Sequence, residues 1–284
     1  MITTVVREKT AEENSLWADR ALALRLEQAE GSANARFVET RARLDPNSGA
    51  QWIEVAGAFA MFDGVRSPCT QTFGLGMVRL PTPSEMETIE LFFKQRGAPV
   101  MHEVCPCADK GLVEILAERR YRAIEFSNVM YLALKSGREL PSTVNDRVQV
   151  RIAGKHEHDF WARTAAEGWR EFTQIADLMR DLMRVSTERE DGVSFIAQWD
   201  GHAIAAGALS VHDGVALLAG ASTIPEWRRR GAQRALLAAR LQHALNAGCD
   251  VAMMCAEPGS ISQRNAERHG FRIAYTRTKF ALPG

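Results

Sequence analysis

One pattern occurs twice in this chain and limits its fold more than any local motif does. Gly97-Ala98-Pro99-Val100-Met101-His102-Glu103-Val104 parallels Gly248-Cys249-Asp250-Val251-Ala252-Met253-Met254-Cys255. Downstream, Ala117-Glu118-Arg119-Arg120-Tyr121-Arg122 echoes Ala266-Glu267-Arg268-His269-Gly270-Phe271-Arg272 with one residue of slippage. The spacings nearly agree: 24 positions separate Gly97 from Tyr121, and 23 separate Gly248 from Phe271. One fold used twice produces such agreement, the alternative being chance similarity between two helix–strand units. Between the copies, residues 135–147 are polar, contain Gly and Pro and carry no period, as a linker does. The expected partition is residues 1–136, a linker at 137–147, and residues 148–284, and a length of 284 suits two domains.

Composition narrows the class. Hydrophobic residues make up 46% of the chain and charged residues 25%, the balance of a globular protein with a sizeable core. Thirty-five basic residues offset thirty-five acidic ones, so no net field draws the chain to nucleic acid or to an anionic membrane, and neither is expected as a partner. Five cysteines, at 69, 105, 107, 249 and 255, lie in or beside apolar segments, as reduced interior thiols do, and predict a cytoplasmic address. Cys105-Pro106-Cys107 lacks the second pair a tetrahedral zinc site needs, so no metal is expected. Met1 to Glu8 runs into charge too early for a signal peptide, and no apolar run is long enough to span a bilayer.

The second half reads as an ordered series. Helices are expected at 157–169 and 175–190, then strands at 193–199, 203–211 and 215–222 joined by Asp200-Gly201 and Asp213-Gly214, two hairpin turn signals. A helix follows over 230–247 with Gly248 placed to end it, then a strand at 251–256. A short helix opens at Ser260, with Gln263 positioned to complete a capping box, and a strand closes the series at 271–275. The fold class is α/β (α+β), a mixed and mostly antiparallel sheet flanked by helices.

The sharpest local signal is Thr223-Ile224-Pro225-Glu226-Trp227-Arg228-Arg229-Arg230-Gly231-Ala232-Gln233-Arg234, where a strand ends, turns and enters a helix. Free N–H groups and the helix dipole make such a start an anion site, Gly231 lets a phosphate approach the backbone, and the arginines add charge. A solvated basic helix start is the plainer reading. The segment resembles the acetyl-coenzyme A loop of the GNAT acetyltransferase superfamily, whose motif is Gln or Arg, two residues, Gly, one residue, then Gly or Ala. Arg228 and Gly231 match it, and Gln233 departs from it at the small-residue position.

The resemblance covers the chain from about Val148 onward and implies two tandem GNAT-like domains, with acetyl-CoA as co-substrate. It implies that Ala221, Ser222 and Thr223 bond the pantetheine arm along the strand edge. Arg229, Arg230, Gly231, Ala232, Gln233 and Arg234 would hold the pyrophosphate, with Asn265 as a further coenzyme contact. The family pattern also places a tyrosine, as acid, four residues before a Gly-Phe pair, where this chain has Ala266 before Gly270-Phe271. Ser262 is then the candidate acid, and Glu257, just past a strand end, the candidate base, with Glu167 and Glu171 as further carboxylates near the acceptor. Each of the glutamates also fits a solvated surface role.

In the first half the equivalent of the loop is Leu80-Pro81-Thr82-Pro83-Ser84-Glu85, with Thr as cap, Pro at the first helical position and Glu at the third. Glu85 sets negative charge where a phosphate would sit, so this half is expected to be a degenerate copy. The function implied is N-acetyl transfer to a primary amine of a small molecule or protein, in a chain that can form a homodimer; the alternative is a coenzyme-binding regulator without turnover.

Overall fold

The computed structural model describes residues 16–135, 137, 140, 141 and 145–283; Met1 to Glu8 and linker positions 136, 138, 139 and 142–144 lie outside it. In the first half run α1 (Arg20–Leu44), β1 (Gln51–Val55), β2 (Ala58–Phe62), β3 (Gln71–Phe73), α2 (Pro83–Lys94), β4 (Met101–Val104), α3 (Gly111–Glu118) and β5 (Arg122–Ala133). In the second run β6 (Val148–Ile152), α4 (His158–Glu167), α5 (Ala176–Thr187), β7 (Gly192–Trp199), β8 (His202–His212), β9 (Val215–Thr223), α6 (Ala232–Asn246), β10 (Val251–Ala256), α7 (Ile261–Arg268) and β11 (Arg272–Ala281).

Most local signals act where their chemistry places them. Asp200, Gly201, Asp213 and Gly214 all have positive φ, as tight hairpin turns require. Thr82 caps α2 and Glu85 closes a full capping box, with Pro83 at the first helical position. α6 starts two residues later than expected, because Arg229 (φ 62°) and Gly231 (φ 91°) lie outside helical space. Ser260 caps α7 by accepting from Gln263 N–H, but the Gln263 side chain accepts from Gly259 N–H rather than from Ser260. The Ser260 N–H is already donated to the Glu257 carbonyl, so the expected box is only half formed.

Helix α1 carries no clear apolar stripe in the sequence. Leu22, Leu26, Gly31, Ala35, Val38 and Arg41 are buried on several of its sides because it lies across the sheet and also touches α5. With α4 and α5 it covers one face, where it packs on Val129, Tyr131, Val251 and Met253. α2, α3, α6 and α7 cover the other, packing on Ala58, Ala60, Met130 and Ala252 among others.

Among the described residues eleven strands form one sheet in the order β1-β2-β3-β4-β11-β5-β10-β9-β8-β7-β6. The last strand of each half sits inside the other half. β11 lies between β4 and β5, while β5 lies between β10 and β11, and neither pairs with another strand of its own half. This exchange also explains why β11 runs on to Ala281: its distal residues, Thr278 to Ala281, pair with Val104 to Met101.

A net backbone hydrogen bond contributes about 0.5–1.5 kcal/mol, so losing a ladder on both sides of a strand removes several kcal/mol from a total of roughly 5–15. A fragment of residues 146–284 should therefore show no cooperative thermal transition by circular dichroism, and regain one when mixed with a fragment of residues 1–141. A cooperative melt of 146–284 alone would contradict this.

Candidate active site

Strands β9 and β10 run parallel, and their pairing stops after Val215↔Val251, Ala216↔Ala252 and Leu217↔Met253. Beyond that point they diverge, and the β9 edge facing β10 has no strand partner while its opposite edge stays paired to β8 as far as Thr223. A bulge lies at this point: Ala206 faces Ser222 and Ala208 faces Ala219, so Gly220 and Ala221 together oppose Gly207. Gly220 accommodates the bend with φ 61°.

The side chains past the divergence are locked from behind. Ser222 Oγ donates to the Ala165 carbonyl (2.7 Å), and Gln233 Nε2 donates to Thr223 Oγ1 (2.8 Å). Gly168, ending α4, packs so closely on Ser222 that an added Cβ would come within 2.5 Å of it. Only the backbone of Ala221–Thr223 is left to meet a ligand along the open edge. The bond from Gln233 also draws that side chain toward β9, which answers the crowding expected at the small-residue position.

Chain direction then brings the loop and α6 to the end of the same opening. Among the described residues no side chain caps α6, in contrast to α2 and α7. A Cβ at Gly231 would touch, among the described residues, only Asn145 Cβ, at 3.8 Å. The arginines divide their roles. Arg228 pairs with Glu171 (2.5 Å) and reaches the Gly168 carbonyl, tying the α4–α5 connection to the loop. Arg230 lies between Trp199 and Trp227, 5.2 and 4.8 Å from their ring centres, while Arg229 is exposed. Burial, then the charges of Arg234 and Arg268, hold His269 below the usual histidine range, which places the end of α7 beside the start of α6.

The catalytic candidates fare less uniformly. Glu257 follows the end of β10 and is exposed, as is Ser262 on α7; Asn265 is half-buried and accepts from Arg268 (3.4 Å). Glu171 is held by Arg228 and Glu167 by Arg170, which also pairs with Glu226, so these two carboxylates serve a surface network. Ala266 is buried in the core under α6 and α7. Among the described residues no group of His, Cys, Asp and Glu side chains can hold a metal ion, and no helix is long and apolar enough to cross a membrane.

In the first half, β3 and β4 are likewise parallel, but their opening is filled. The Asp109 N–H donates to the Gly76 carbonyl (2.9 Å) across it, and Leu75 and Met77 are buried there. Arg79 and the Thr82 N–H hold the Glu85 carboxyl down at about 2, so it is anionic at the α2 start throughout the physiological range.

Residues 158–271 match the sequence profile of the Acetyltransferase (GNAT) family. No curated protein matches the chain in sequence. Among solved structures, the GCN5-related N-acetyltransferase from Kribbella flavida aligns over 88% of this chain and 95% of its own, at 19% identity and a TM-score of 0.63. The GCN5-related N-acetyltransferase from Sphaerobacter thermophilus aligns over 94% and 93%, at 15% identity and a TM-score of 0.53. A tandem GNAT protein from the clavulanic acid biosynthesis pathway aligns over 70% and 68%, at 14% identity and a TM-score of 0.53. At these identities the structural likeness establishes the fold. Residues 158–271 thus match the GNAT family, within a larger fold that this chain shares with solved GNAT proteins.

One group near the opening escaped the sequence reading because its members are far apart in the chain. Arg277 of β11 is buried, its Nη2 2.6 Å from Glu30 Oε2 and 2.9 Å from Cys255 Sγ, with Glu27 at 3.6 Å and Glu103 at 3.9 Å from its other nitrogens. Tyr275 donates to Glu27 Oε1 (2.8 Å). The sequence signals are the alternation Tyr275, Arg277, Lys279 and the helical pair Glu27, Glu30. Burial outweighs the attraction of Arg277 and raises Glu27 to about 7. Between the usual carboxylate range and about pH 7 the native state therefore binds more protons at Glu27 than the unfolded chain does, and this contribution to stability declines as pH rises. Glu27→Gln should flatten the fall in urea midpoint between pH 5 and 7.5; an unchanged slope would contradict the assignment.

Proposed function

We propose that this chain is an acyl-CoA-dependent N-acetyltransferase that binds one acetyl-CoA, in the β9–β10 opening of the second half, and acetylates a primary amine. The observation that carries this reading is the end of strand pairing at Leu217↔Met253, followed directly by an uncapped helix start at Gly231. An open strand edge offers alternating N–H and C=O groups to the amides of pantetheine, and a helix start offers backbone N–H groups and a positive dipole end to the pyrophosphate. The backbone of Ala221 to Thr223 would take the first role. Gly231, Ala232, Gln233 and Arg234 would take the second, with Arg229 and Arg230 adding charge at the rim and Asn265 approaching from α7.

Acetyl transfer needs a neutral amine to attack the thioester carbonyl and a proton to reach the departing sulfur. No tyrosine is placed for the second step: Tyr121, Tyr131 and Tyr275 direct their hydroxyls to Glu90, the Leu16 carbonyl and Glu27. The exposed Ser262, or water, would supply that proton, and Glu257 stands at the strand end as a base. The buried alanine at position 266 favours the second reading, a protein that binds the coenzyme without turnover. Release of free thiol from acetyl-CoA in the presence of an amine panel separates the two.

Gly231→Asp tests the site itself. Asp tolerates positive φ better than most residues, but it puts an anion at the helix start. A charge-assisted contact contributes roughly 1.5–3 kcal/mol, and 1.4 kcal/mol is tenfold in affinity. Calorimetry should show one acetyl-CoA per wild-type chain, at least tenfold weaker binding for Gly231→Asp, and a smaller loss for the uncharged Gly231→Asn. An unchanged Kd in folded Gly231→Asp, or two coenzymes per chain, would overturn the reading.

A further inference from the structure

Two residues beyond the last paired couple, each diverging strand presents a side chain to the face covered by α1. On β9 this is Ala219 and on β10 it is Cys255, continuing the alternation of Val215 and Leu217 and of Val251 and Met253. Ala219 is exposed although β9 is an interior strand of an eleven-stranded sheet. An interior alanine is open only where no helix covers it, so a crevice reaches the opening from the α1 face. One wall is marked by Met183 of α5, whose Sδ lies 3.7 Å from where a Cβ at Gly220 would be. The other wall is α1 of the first half, whose Glu30 Oε2 lies 3.3 Å from Cys255 Sγ.

We infer that the first half completes the acyl-transfer site, with Glu30 as the carboxylate that receives the ammonium of an aliphatic acceptor amine. Both hydrogen bonds of Glu30 among the described residues, from Cys255 and from Arg277, fall on Oε2, and its side chain keeps 14% of its surface. Oε1 is left for a third partner. A second observation marks the group as unsaturated: Nε and Nη1 of Arg277 and Oε2 of Glu27 are buried with no hydrogen-bond partner among the described residues. Arg277 thus grips Glu30 by one arm and steadies it at the mouth of the opening.

In the reaction the ammonium gives one proton to Glu30, which takes the place of Glu257 as the base. The freed nitrogen lone pair attacks the thioester carbon, the C–S bond breaks with its electron pair on sulfur, and a second proton passes from nitrogen to sulfur through Ser262 or water. The products are an amide, free thiol and one proton that leaves Glu30 for water.

This inference rests on the coenzyme site proposed above, and its test keeps the two apart. Acceptor kinetics are measured with spermidine, an aliphatic cation, and 4-aminobenzoate, whose amine is neutral at pH 7, alongside acetyl-CoA calorimetry. Wild-type chain should prefer spermidine. Glu30→Gln should lower kcat/KM for spermidine at least a hundredfold with the acetyl-CoA Kd within twofold of wild type, and Glu30→Asp should recover part of the loss. Should Glu30→Gln fail to fold, Asn34→Arg decides: it adds a cation one turn along α1 at a half-exposed position, and should raise KM for spermidine at least tenfold, less so in high salt. Full spermidine kinetics in folded Glu30→Gln, an unmoved KM in Asn34→Arg, or failure of coenzyme-loaded wild-type chain to prefer spermidine overturns the role of Glu30 alone. Failure of wild-type chain to bind acetyl-CoA overturns the coenzyme reading beneath it.

Discussion

The reciprocal insertion of β5 and β11 is the constraint on which the remaining architecture depends. A strand whose two neighbours both belong to the other half cannot form its ladders until both halves are present, so the sheet is closed by contacts distant in sequence. The same insertion sets the position of β10. With β5 paired along its far side, from Val251↔Ala133 to Ala256↔Asn128, β10 is held straight while β9 bends away at the Gly220–Ala221 bulge. The opening between them is thus built by the seam as much as by the strands that border it.

The two halves share a plan and differ in how they treat the parallel pair at its centre. In the second half strand pairing ends at Leu217↔Met253, and among the described residues no side chain caps the helix beyond it. In the first half Leu75, Met77 and the Asp109–Gly76 hydrogen bond fill the space, while Thr82 and Glu85 satisfy the helix start that an anion would otherwise approach. Packing and capping thus occupy in the first half the positions that correspond to the open edge and helix start of the second. They leave the first half free to contribute α1, which crosses the seam and lays Glu27 and Glu30 over β10 and β11.

How much was legible in the sequence follows from the range of each interaction. Asp200-Gly201, Asp213-Gly214, Thr82-Pro83 with Glu85, Ser260 and Gly231 act on their immediate neighbours, and each was readable because its partner lies within a few residues. β11 was read only as far as Tyr275, because Arg277 and Lys279 look like surface residues until Glu30 and Glu103 are brought over them. α1 was missed for a related reason: a helix buried on several sides loses the single apolar stripe that marks a surface helix. The sequence places Arg229 and Arg230 among the pyrophosphate holders and Arg228 as charge beside them, yet Arg228 is held by Glu171 and Arg230 by two tryptophans, pairings that need the folded α4–α5 connection and β7.

Acetyl-CoA bound in the β9–β10 opening alone would leave the corresponding segment of the first half untouched. Hydrogen–deuterium exchange on the full chain with and without acetyl-CoA tests it directly, since backbone amides that meet the ligand slow their exchange. Added protection is expected at 218–223, 231–234 and 254–256, with residues 74–85 unchanged. Protection at 74–85, or none at either opening with the coenzyme in excess, would contradict it.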